Sequence, residues 1–386
     1  MPTRVAVIGA TGSIGAQALD VIQRFPEQFE LVGAVAGSRA RALEEALLPF
    51  PGAKAVLIAP EGPVPSTTLV GIDAACELVR SPEVDVVLVG GGGAGALLPT
   101  LAACEAGRLV AIATKEVLVM AGELVTQTAH RHGARIVPVD SEHSAIWQCL
   151  RGERPESVRR LILTASGGAL RSIPLAELDA VTPAQALAHP NWRMGPKVTV
   201  DTATMINKGL EVIEAHFLFD IPYERIDVLI HPQSAIHSAV EFCDGTLIAQ
   251  LGVPDMRAPI ALAMSDGRRL PGVVEPLRLE QVGRLDFEAV DAARFPALAV
   301  VREAALRGGA APAVMNAANE VAVAAFLQGK IAFTEIARLV AKVTRSFQPS
   351  DQVGLEQLLD ADGWARKQAT QLVSQASLSA SGVVAV

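Results

Sequence analysis

The sequence predicts an α/β protein that begins as a doubly wound parallel sheet, passes through a mixed α+β region and ends in helices. Three observations predict it. Short apolar runs alternate with helical patterns from Arg4 to Ala113, a glycine turn follows the first run at once, and Ala-rich helical segments occupy the chain beyond Ala292. Arg4–Gly9 is an apolar run that stops at glycine, the pattern of a buried parallel strand. Gly15–Phe25 carries apolar residues at helical spacing, Phe29–Ala36 is a second strand, and Ala40–Leu48 a second helix. Ala53–Ile58, Val84–Val89 and Leu109–Ala113 continue the alternation. From Arg135 the texture changes to strands mixed with polar loops. Leu270–Pro276 holds two prolines and a glycine and reads as a linker, and Pro296–Leu306, Val314–Leu327 and Thr334–Val343 read as short helices. The expected division is 1–134, then 135–269, a linker over 270–291 and a helical domain over 292–386.

Composition narrows the function. With 386 residues, half of them hydrophobic, the chain can bury two or three cores. No apolar run approaches the roughly 18 residues of a membrane helix. A net charge of −8 without a basic stripe argues against nucleic acid. Met1–Gly9 lacks a secretion-signal pattern, and Cys76, Cys104, Cys149 and Cys243 are too widely spaced for a metal or redox motif, so the expected location is the cytoplasm.

Gly9-Ala-Thr-Gly12-Ser-Ile-Gly15 joins the first strand to the first helix. Glycines there allow a tight turn and let the backbone approach a pyrophosphate held at the helix N-terminus, although any tight strand-to-helix turn would tolerate them. The second strand ends Ala36-Gly37-Ser38-Arg39, with a hydroxyl and a guanidinium where an NAD site usually has a carboxylate. That favours NADPH, whose 2′-phosphate suits arginine, although Arg39 taken alone also fits a loop arginine in solvent. Gly90–Gly95 follows a further strand and fits either a cofactor lying against backbone or a flexible turn.

Val137-Pro-Val-Asp140-Ser-Glu142-His143 ends a strand in Asp-x-Glu, which would place two carboxylates on one side. Hard ions such as Mg²⁺ and Mn²⁺ favour such oxygen ligands. Taken alone, the segment reads better as a helix cap at Asp140 or Ser141. A second segment tips the reading. In Asp201-Thr202-Ala-Thr-Met-Ile-Asn207-Lys208-Gly-Leu-Glu211, the residues Asn207, Lys208 and Glu211 share one helical face. Thr202 and Lys208 suit a phosphate and Glu211 a third metal ligand, though Lys208 and Glu211 also suit a surface ion pair. Leu163-Thr-Ala-Ser166-Gly-Gly168 presents a hydroxyl and backbone amides that suit an anion, or a plain turn. His189-Pro-Asn-Trp192-Arg-Met194-Gly195 reads as the tip of a lid spanning about 167–196, with packed core the alternative for Trp192.

Together these segments resemble the reductoisomerase family of the non-mevalonate isoprenoid pathway. The likeness also runs through Lys115-Glu116, Leu229–Ser238, Gln250–Arg257 and Asn316–Phe326. It implies a Rossmann-like NADPH-binding domain, a central catalytic domain with a mobile lid, a C-terminal helical bundle and a homodimer. By position, Asp140, Glu142 and Glu211 would hold Mg²⁺ or Mn²⁺. Ser166, Thr202, Asn207 and Lys208 would bind the substrate phosphate or nearby hydroxyls, with His189 closing from the lid. Lys115 and Ser141 would contact the sugar backbone, under Trp192 and Met194. NADPH would meet Thr11, Gly12, Ser13, Ile14, Gly37, Ser38 and Arg39, and also Thr114, Glu116 and Gly195. Lys115, Asp140, Glu142 and Glu211 would be the catalytic group.

Three positions depart from the family pattern. Thr114 stands where Asn is usual, Thr202 replaces Ser with its hydroxyl kept, and Ala165 replaces a glycine before Ser166. The resemblance implies rearrangement of 1-deoxy-D-xylulose 5-phosphate by carbon–carbon cleavage and re-addition. Reduction by NADPH then gives 2-C-methyl-D-erythritol 4-phosphate. A homoserine or semialdehyde dehydrogenase would share the glycine turn without needing three carboxylates, and a silent nucleotide sensor would need neither them nor the lid tryptophan. His231 and His237 fit structural, supporting or catalytic roles alike.

Overall fold

The computed structural model describes residues 1–190, 192, 194–348 and 353–382. Asn191 and Arg193 of the predicted lid tip lie outside the described residues. The chain forms two compact units. The first comprises Met1–Leu118, Gly122–Pro155 and Ile248–Arg278; the second comprises Val119–Ala121, Glu156–Leu247 and Leu279–Val386. Neither is one continuous stretch, unlike the consecutive division that the sequence suggests.

The first unit is built on strands β1 (Thr3–Ile8), β2 (Phe29–Ala36), β3 (Lys54–Leu57), β4 (Leu69–Val70), β5 (Val86–Val89), β6 (Leu109–Ile112) and β7 (Arg135–Pro138). They form one sheet in the order β4-β3-β2-β1-β5-β6-β7. Neighbouring strands pair in parallel throughout, as in β1 with β2 and β5 and in β6 with β7. Val5–Val7 and Val87–Val89 are 0 % exposed, as in a sheet that helices cover on both faces. Those helices are α1 (Ser13–Arg24), α2 (Ala40–Leu47), α3 (Ile72–Arg80), α4 (Leu97–Glu105), α5 (Lys115–His132, kinked at Ala121) and α6 (Ser141–Cys149). The sheet order reverses beside β1 and β5, the place where an open α/β sheet offers a crevice at its strand ends.

The return segment explains why this unit outruns the predicted boundary. Ile260, Ala261, Ala263, Met264 and Val273 belong to the same core as Val5, Val7, Leu88 and Val137. Arg24 also donates to the carbonyls of Val273 and Gly272, at 3.0 and 2.7 Å. Within the Pro/Gly-rich segment 270–276, Leu270, Val273 and Val274 thus pack on this core, while Pro271, Gly272, Glu275 and Pro276 stay exposed.

In the second unit, β8 (Val158–Ala165), β9 (Ile226–Ile230), β10 (Ile236–Phe242) and β12 (Glu288–Ala289) lie in one sheet in the order β10-β8-β9-β12. Strand β8 runs antiparallel to β10 and parallel to β9. Strand β11 (Leu247–Leu251) carries the chain back toward the first unit's return segment, which contains α10 (Arg257–Met264). The remaining helices are α7 (Pro183–Ala186), α8 (Pro196–Thr204), α9 (Ile206–Phe219), α11 (Leu279–Val282), α12 (Pro296–Arg307), α13 (Ala311–Leu327), α14 (Phe333–Ser346) and α15 (Leu355–Gly382). Helix α13 is almost wholly buried, as its all-round apolar sequence requires, and the other C-terminal helices cover it. The residues from Leu279 onward thus form part of the second unit's body.

Candidate active site

In the first unit the glycine turn has the geometry that the sequence suggests. Gly9 has φ +82°, and a Cβ there would lie 2.4 Å from the backbone N of Gly91. A Cβ on Gly15 would lie 2.2 Å from the carbonyl oxygen of Gly9, so only glycine lets α1 start this close to β1. Gly12 caps α1 without a side-chain bond, and Ser13 and Ile14 open its first turn. Arg39 folds back on the turn, donating from Nη2 to the Thr11 carbonyl at 2.8 Å. An open pocket of about 480 Å³ lies at this strand end, lined by Ser38, Arg39, Arg41, Glu45, Glu61 and Pro63.

Thr114 precedes α5 and is buried, its hydroxyl donating to the Gly91 carbonyl at 2.5 Å. That bond ties the end of β6 to the glycine cluster after β5. The next residue, Lys115, reaches Asp140 Oδ2 at 2.5 Å, with side chains only 9 % and 12 % exposed. Asp140 does occupy the N-cap position of α6, as the helix-cap reading foresees, yet its side chain makes no capping bond. Its backbone carbonyl accepts from Ser144, which leaves the carboxylate turned toward Lys115. Strand β7 stops at Pro138, so Asp140 and Glu142 are not brought together by strand alternation as expected. They stand at the head of a helix, where the exposed amides and the dipole favour negative charge. Ser141 donates to Glu142 at 2.5 Å, and Glu116 lies in the first turn of α5.

In the second unit, Ser166 follows β8 and gathers two partners. Its Oγ lies 3.0 Å from His189 Nε2 and accepts the Gly168 amide at 3.1 Å. His189 Nδ1 in turn accepts the Trp192 backbone N–H at 3.0 Å. An Nδ1 that accepts places the proton on Nε2, so the ring donates to Ser166. With both acceptor positions of its oxygen used, the Ser166 hydroxyl has its own hydrogen to give, which suits an anion. The Trp192 ring lies 6.1 Å from that of His237. Burial holds the His189 imidazole below its ordinary value of 6.5, so it is neutral at neutral pH. Because the folded-state value is depressed, the stability that this contact contributes is full above pH 6.5 and is lost as pH falls below that through the folded value. Protonation would also put a hydrogen on Nδ1 and break the Trp192 bond. Anion binding at Ser166 is therefore expected to weaken as pH falls below 6.5. A His189→Gln variant should have a weaker but flatter profile in steady-state kinetics.

Helices α8 and α9 meet at Met205, a non-glycine residue with φ +64°. Gly195 caps α8, with Met194 half-buried before it. Gly168 packs so closely on the end of α8 that a Cβ would lie 2.9 Å from the Thr202 carbonyl oxygen. Asn207 and Lys208 both donate to the Glu211 carboxylate from one face of α9, as their spacing predicts. This is a buried group, since Lys208 and Glu211 are 4 % and 1 % exposed, and the surface ion-pair alternative does not apply. Gly209 has a packing reason: a Cβ there would lie 2.7 Å from Cβ of Val301 on α12. Not all of the expected lid stands clear. Leu170, Leu178 and Ala186 are buried, and Arg294 donates to the carbonyls of Leu170 and Ile173 at 3.1 and 2.6 Å.

His231 takes a structural part. Its Nδ1 lies 2.9 Å from the Asp286 carbonyl, while Nε2 accepts the amides of Ala235 and Ile236 at 3.1 and 3.2 Å. All three ring bonds thus go to backbone, and its own amide donates to Ala165, next to Ser166.

Family models match in three stretches. A model described as 1-deoxy-D-xylulose 5-phosphate reductoisomerase matches residues 5–122, and its C-terminal-domain model matches 136–219. A further DXP reductoisomerase C-terminal-domain model matches 251–368. The 1-deoxy-D-xylulose 5-phosphate reductoisomerase of Xanthomonas campestris pv. campestris (strain B100) is 49 % identical over 389 residues, with 98 % of each chain covered. This chain belongs to the 1-deoxy-D-xylulose 5-phosphate reductoisomerase family.

A second reductoisomerase relative, from Pelodictyon phaeoclathratiforme, is 48 % identical, covering 96 % of this chain and 99 % of that one. The reductoisomerase of Zymomonas mobilis, solved in complex with NADPH, has a TM-score of 0.88 at 42 % identity, with 97 % and 99 % covered. A DOX-P reductoisomerase solved with NADPH, fosmidomycin and magnesium gives 0.90 at 38 %, with 96 % and 98 % covered. The family decides against the dehydrogenase reading, and the Rossmann-like, mixed α/β and C-terminal helical architecture is that of the family. Sequence reasoning gave the Gly90–Gly95 run no chemistry, although Gly91 packs on Gly9 and accepts from Thr114. Its signal was present as a second glycine cluster at a strand end. Arg41, in the pocket beside Ser38 and Arg39, was also passed over.

Proposed function

We propose that this chain converts 1-deoxy-D-xylulose 5-phosphate to 2-C-methyl-D-erythritol 4-phosphate, using NADPH and a divalent ion, as a cytoplasmic homodimer. Asp140, Glu142 and Glu211 are the ion's protein ligands. The donor set fits: all three offer carboxylate oxygen, the choice of Mg²⁺ and Mn²⁺, and two of them already meet an ammonium group, Lys115 for Asp140 and Lys208 for Glu211. Bound to the chain, the ion and the dinucleotide supply Lewis-acid polarisation and a hydride, respectively. Thr11–Ile14 at the head of α1 and Gly37–Arg39 after β2 receive the dinucleotide, with Thr114, Glu116 and Gly195 completing its contacts.

The chain's own residues do the rest. Lys115 holds the Asp140 carboxylate in place and, with Ser141, contacts the sugar backbone. Ser166 gives its hydrogen to a phosphate oxygen, held for that task by His189 and the Gly168 amide. Thr202, Asn207 and Lys208 complete the anion's surroundings. Trp192 and Met194 cover a reaction that passes through an aldehyde, which water would otherwise hydrate. The phosphate lies away from the reacting carbons, so its binding energy can hold the cover closed. Support for the homodimer comes from the family resemblance. Support for a reducing compartment comes from four cysteines that are all free.

The observation that carries this reading is the Lys115–Asp140 pair at the head of α6, an ammonium and a carboxylate kept together in a mostly buried place. The test is loss of NADPH absorbance with 1-deoxy-D-xylulose 5-phosphate, with Mg²⁺ or Mn²⁺ and again with chelator. Oxidation that needs the ion is expected. Folded protein that binds NADPH but oxidises none of it under these conditions would sink the reading.

A further inference from the structure

Asp201 lies at the centre of α8, one residue before Thr202, and is 1 % exposed. A carboxylate so deeply placed is costly unless its charge is met. Asn319 of α13 donates from Nδ2 to Asp201 Oδ1 at 2.8 Å, and Lys197 Nζ lies 2.9 Å from Oδ2. Asn319 itself is 0 % exposed and belongs to the last part of the chain, to which the site reading assigns no residue. The backbone next to Asp201 continues the arrangement. The Thr204 hydroxyl donates to the Asp201 carbonyl at 3.1 Å and accepts the Ile206 amide at 3.3 Å. Between them stands Met205, in the left-handed region.

We propose that Asn319 is a positioning residue for the phosphate-binding turn: by gripping Asp201 it sets the rotation of α8, and hence where Thr202 and the start of α9 stand. This rests on the assignment of Thr202, Asn207 and Lys208 to the substrate phosphate. A buried polar pair in a helix interface adds little net stability over well-packed apolar residues in place of both partners, although loss of one partner alone is destabilising. What the pair adds is direction. A hydrogen bond fixes the angle of one residue about the helix axis, and the next residue follows at about 100°. On the other contact, Gly168 leaves no slack, because a Cβ there would lie 2.8 Å from Cα of Ala203. Helix α8 cannot rotate without disturbing that fit.

The test compares wild type with Asn319→Leu, which keeps the volume and removes the amide. Read-outs are KM for 1-deoxy-D-xylulose 5-phosphate, KM for NADPH, kcat, and calorimetric affinity for inorganic phosphate. The expected result is a rise of about tenfold in the sugar-phosphate KM and in the phosphate Kd, the scale of one lost hydrogen bond to a charged group. The KM for NADPH should not move. A merely structural amide would lower the melting temperature and the active fraction while leaving both affinities alone, and that outcome overturns the proposal. Should Asn319→Leu not fold, Asn319→Gln takes its place, since it keeps the amide but displaces it by one methylene; the same shift supports and the same constancy overturns. Failure of both to fold would mark Asn319 as a folding element and overturn the proposal too. Wild type that turns over the substrate while the variants keep both affinities removes the Asn319 proposal alone. Wild type with neither turnover nor phosphate binding removes the site assignment along with it.

Discussion

Glu211→Gln is expected to lower kcat/KM for 1-deoxy-D-xylulose 5-phosphate by about 100-fold or more, with NADPH affinity close to wild type. The change keeps the shape of a side chain that is 1 % exposed and removes only its charge. A neutral amide is a weaker ligand for Mg²⁺ or Mn²⁺ than a carboxylate, so the ion should bind more loosely and polarise less. A second effect goes with it. Lys208, itself 4 % exposed, loses a carboxylate partner, and breaking such a buried pair costs about 3–5 kcal/mol. The variant should therefore melt earlier. Turnover per folded molecule, measured well below the variant's melting temperature, separates the two effects. NADPH oxidation at saturating Mg²⁺ decides the matter, and wild-type turnover in Glu211→Gln would take Glu211 out of the ligand set.

Lys115→Met should be nearly as damaging, on the order of 100-fold in kcat, but with the opposite effect on the ion. The ammonium lies 2.5 Å from Asp140, in a place where both side chains are mostly buried. Close to a carboxylate assigned to a dication, that ammonium repels the ion at short range, and low local dielectric strengthens the repulsion. Removing it should leave Mg²⁺ affinity unchanged or tighter while the rate collapses, because the substrate loses its cationic contact. Activity titrated with Mg²⁺ reports both quantities. A variant that needs more Mg²⁺ yet keeps its full rate would make Lys115 a simple counter-charge for Asp140.

The parallel sheet was legible because its strands are buried on both faces and so read as unbroken apolar runs. The Phe29–Ala36 run became β2 at the same residues. Asn207, Lys208 and Glu211 were legible for a similar reason, since helical spacing alone puts them on one face of α9. For Asp140 and Glu142 the sequence left a strand end and a helix cap both open. A Pro-Val-Asp sequence suits a strand end and a helix cap alike, and the chain chose the cap position. What periodicity could not supply was partnership across long separations. Nothing local to Asn319 announces Asp201, and nothing in His231 announces a ring whose bonds all go to backbone. Val273 reads as linker beside Pro271 and Gly272, until α1 and Arg24 are seen to hold it. The two-residue strands β4 and β12 carry too few side chains to form any pattern.

The interrupted first unit has a consequence for how the chain is made. By the time Pro138 has left the ribosome, every strand of the seven-stranded sheet exists. Helix α10 does not, and Ile260, Ala261, Ala263 and Met264 are still missing from a core already holding Val5, Val7 and Val137. All of Glu156–Leu247 must be synthesised in between. At the usual pace of about 5–20 residues per second, the nascent sheet spends several seconds with part of its apolar surface bare. During that interval the nascent sheet depends on chaperones for shelter from aggregation, and a gene cut after Pro155 would lack the residues of 260–273 that complete its core.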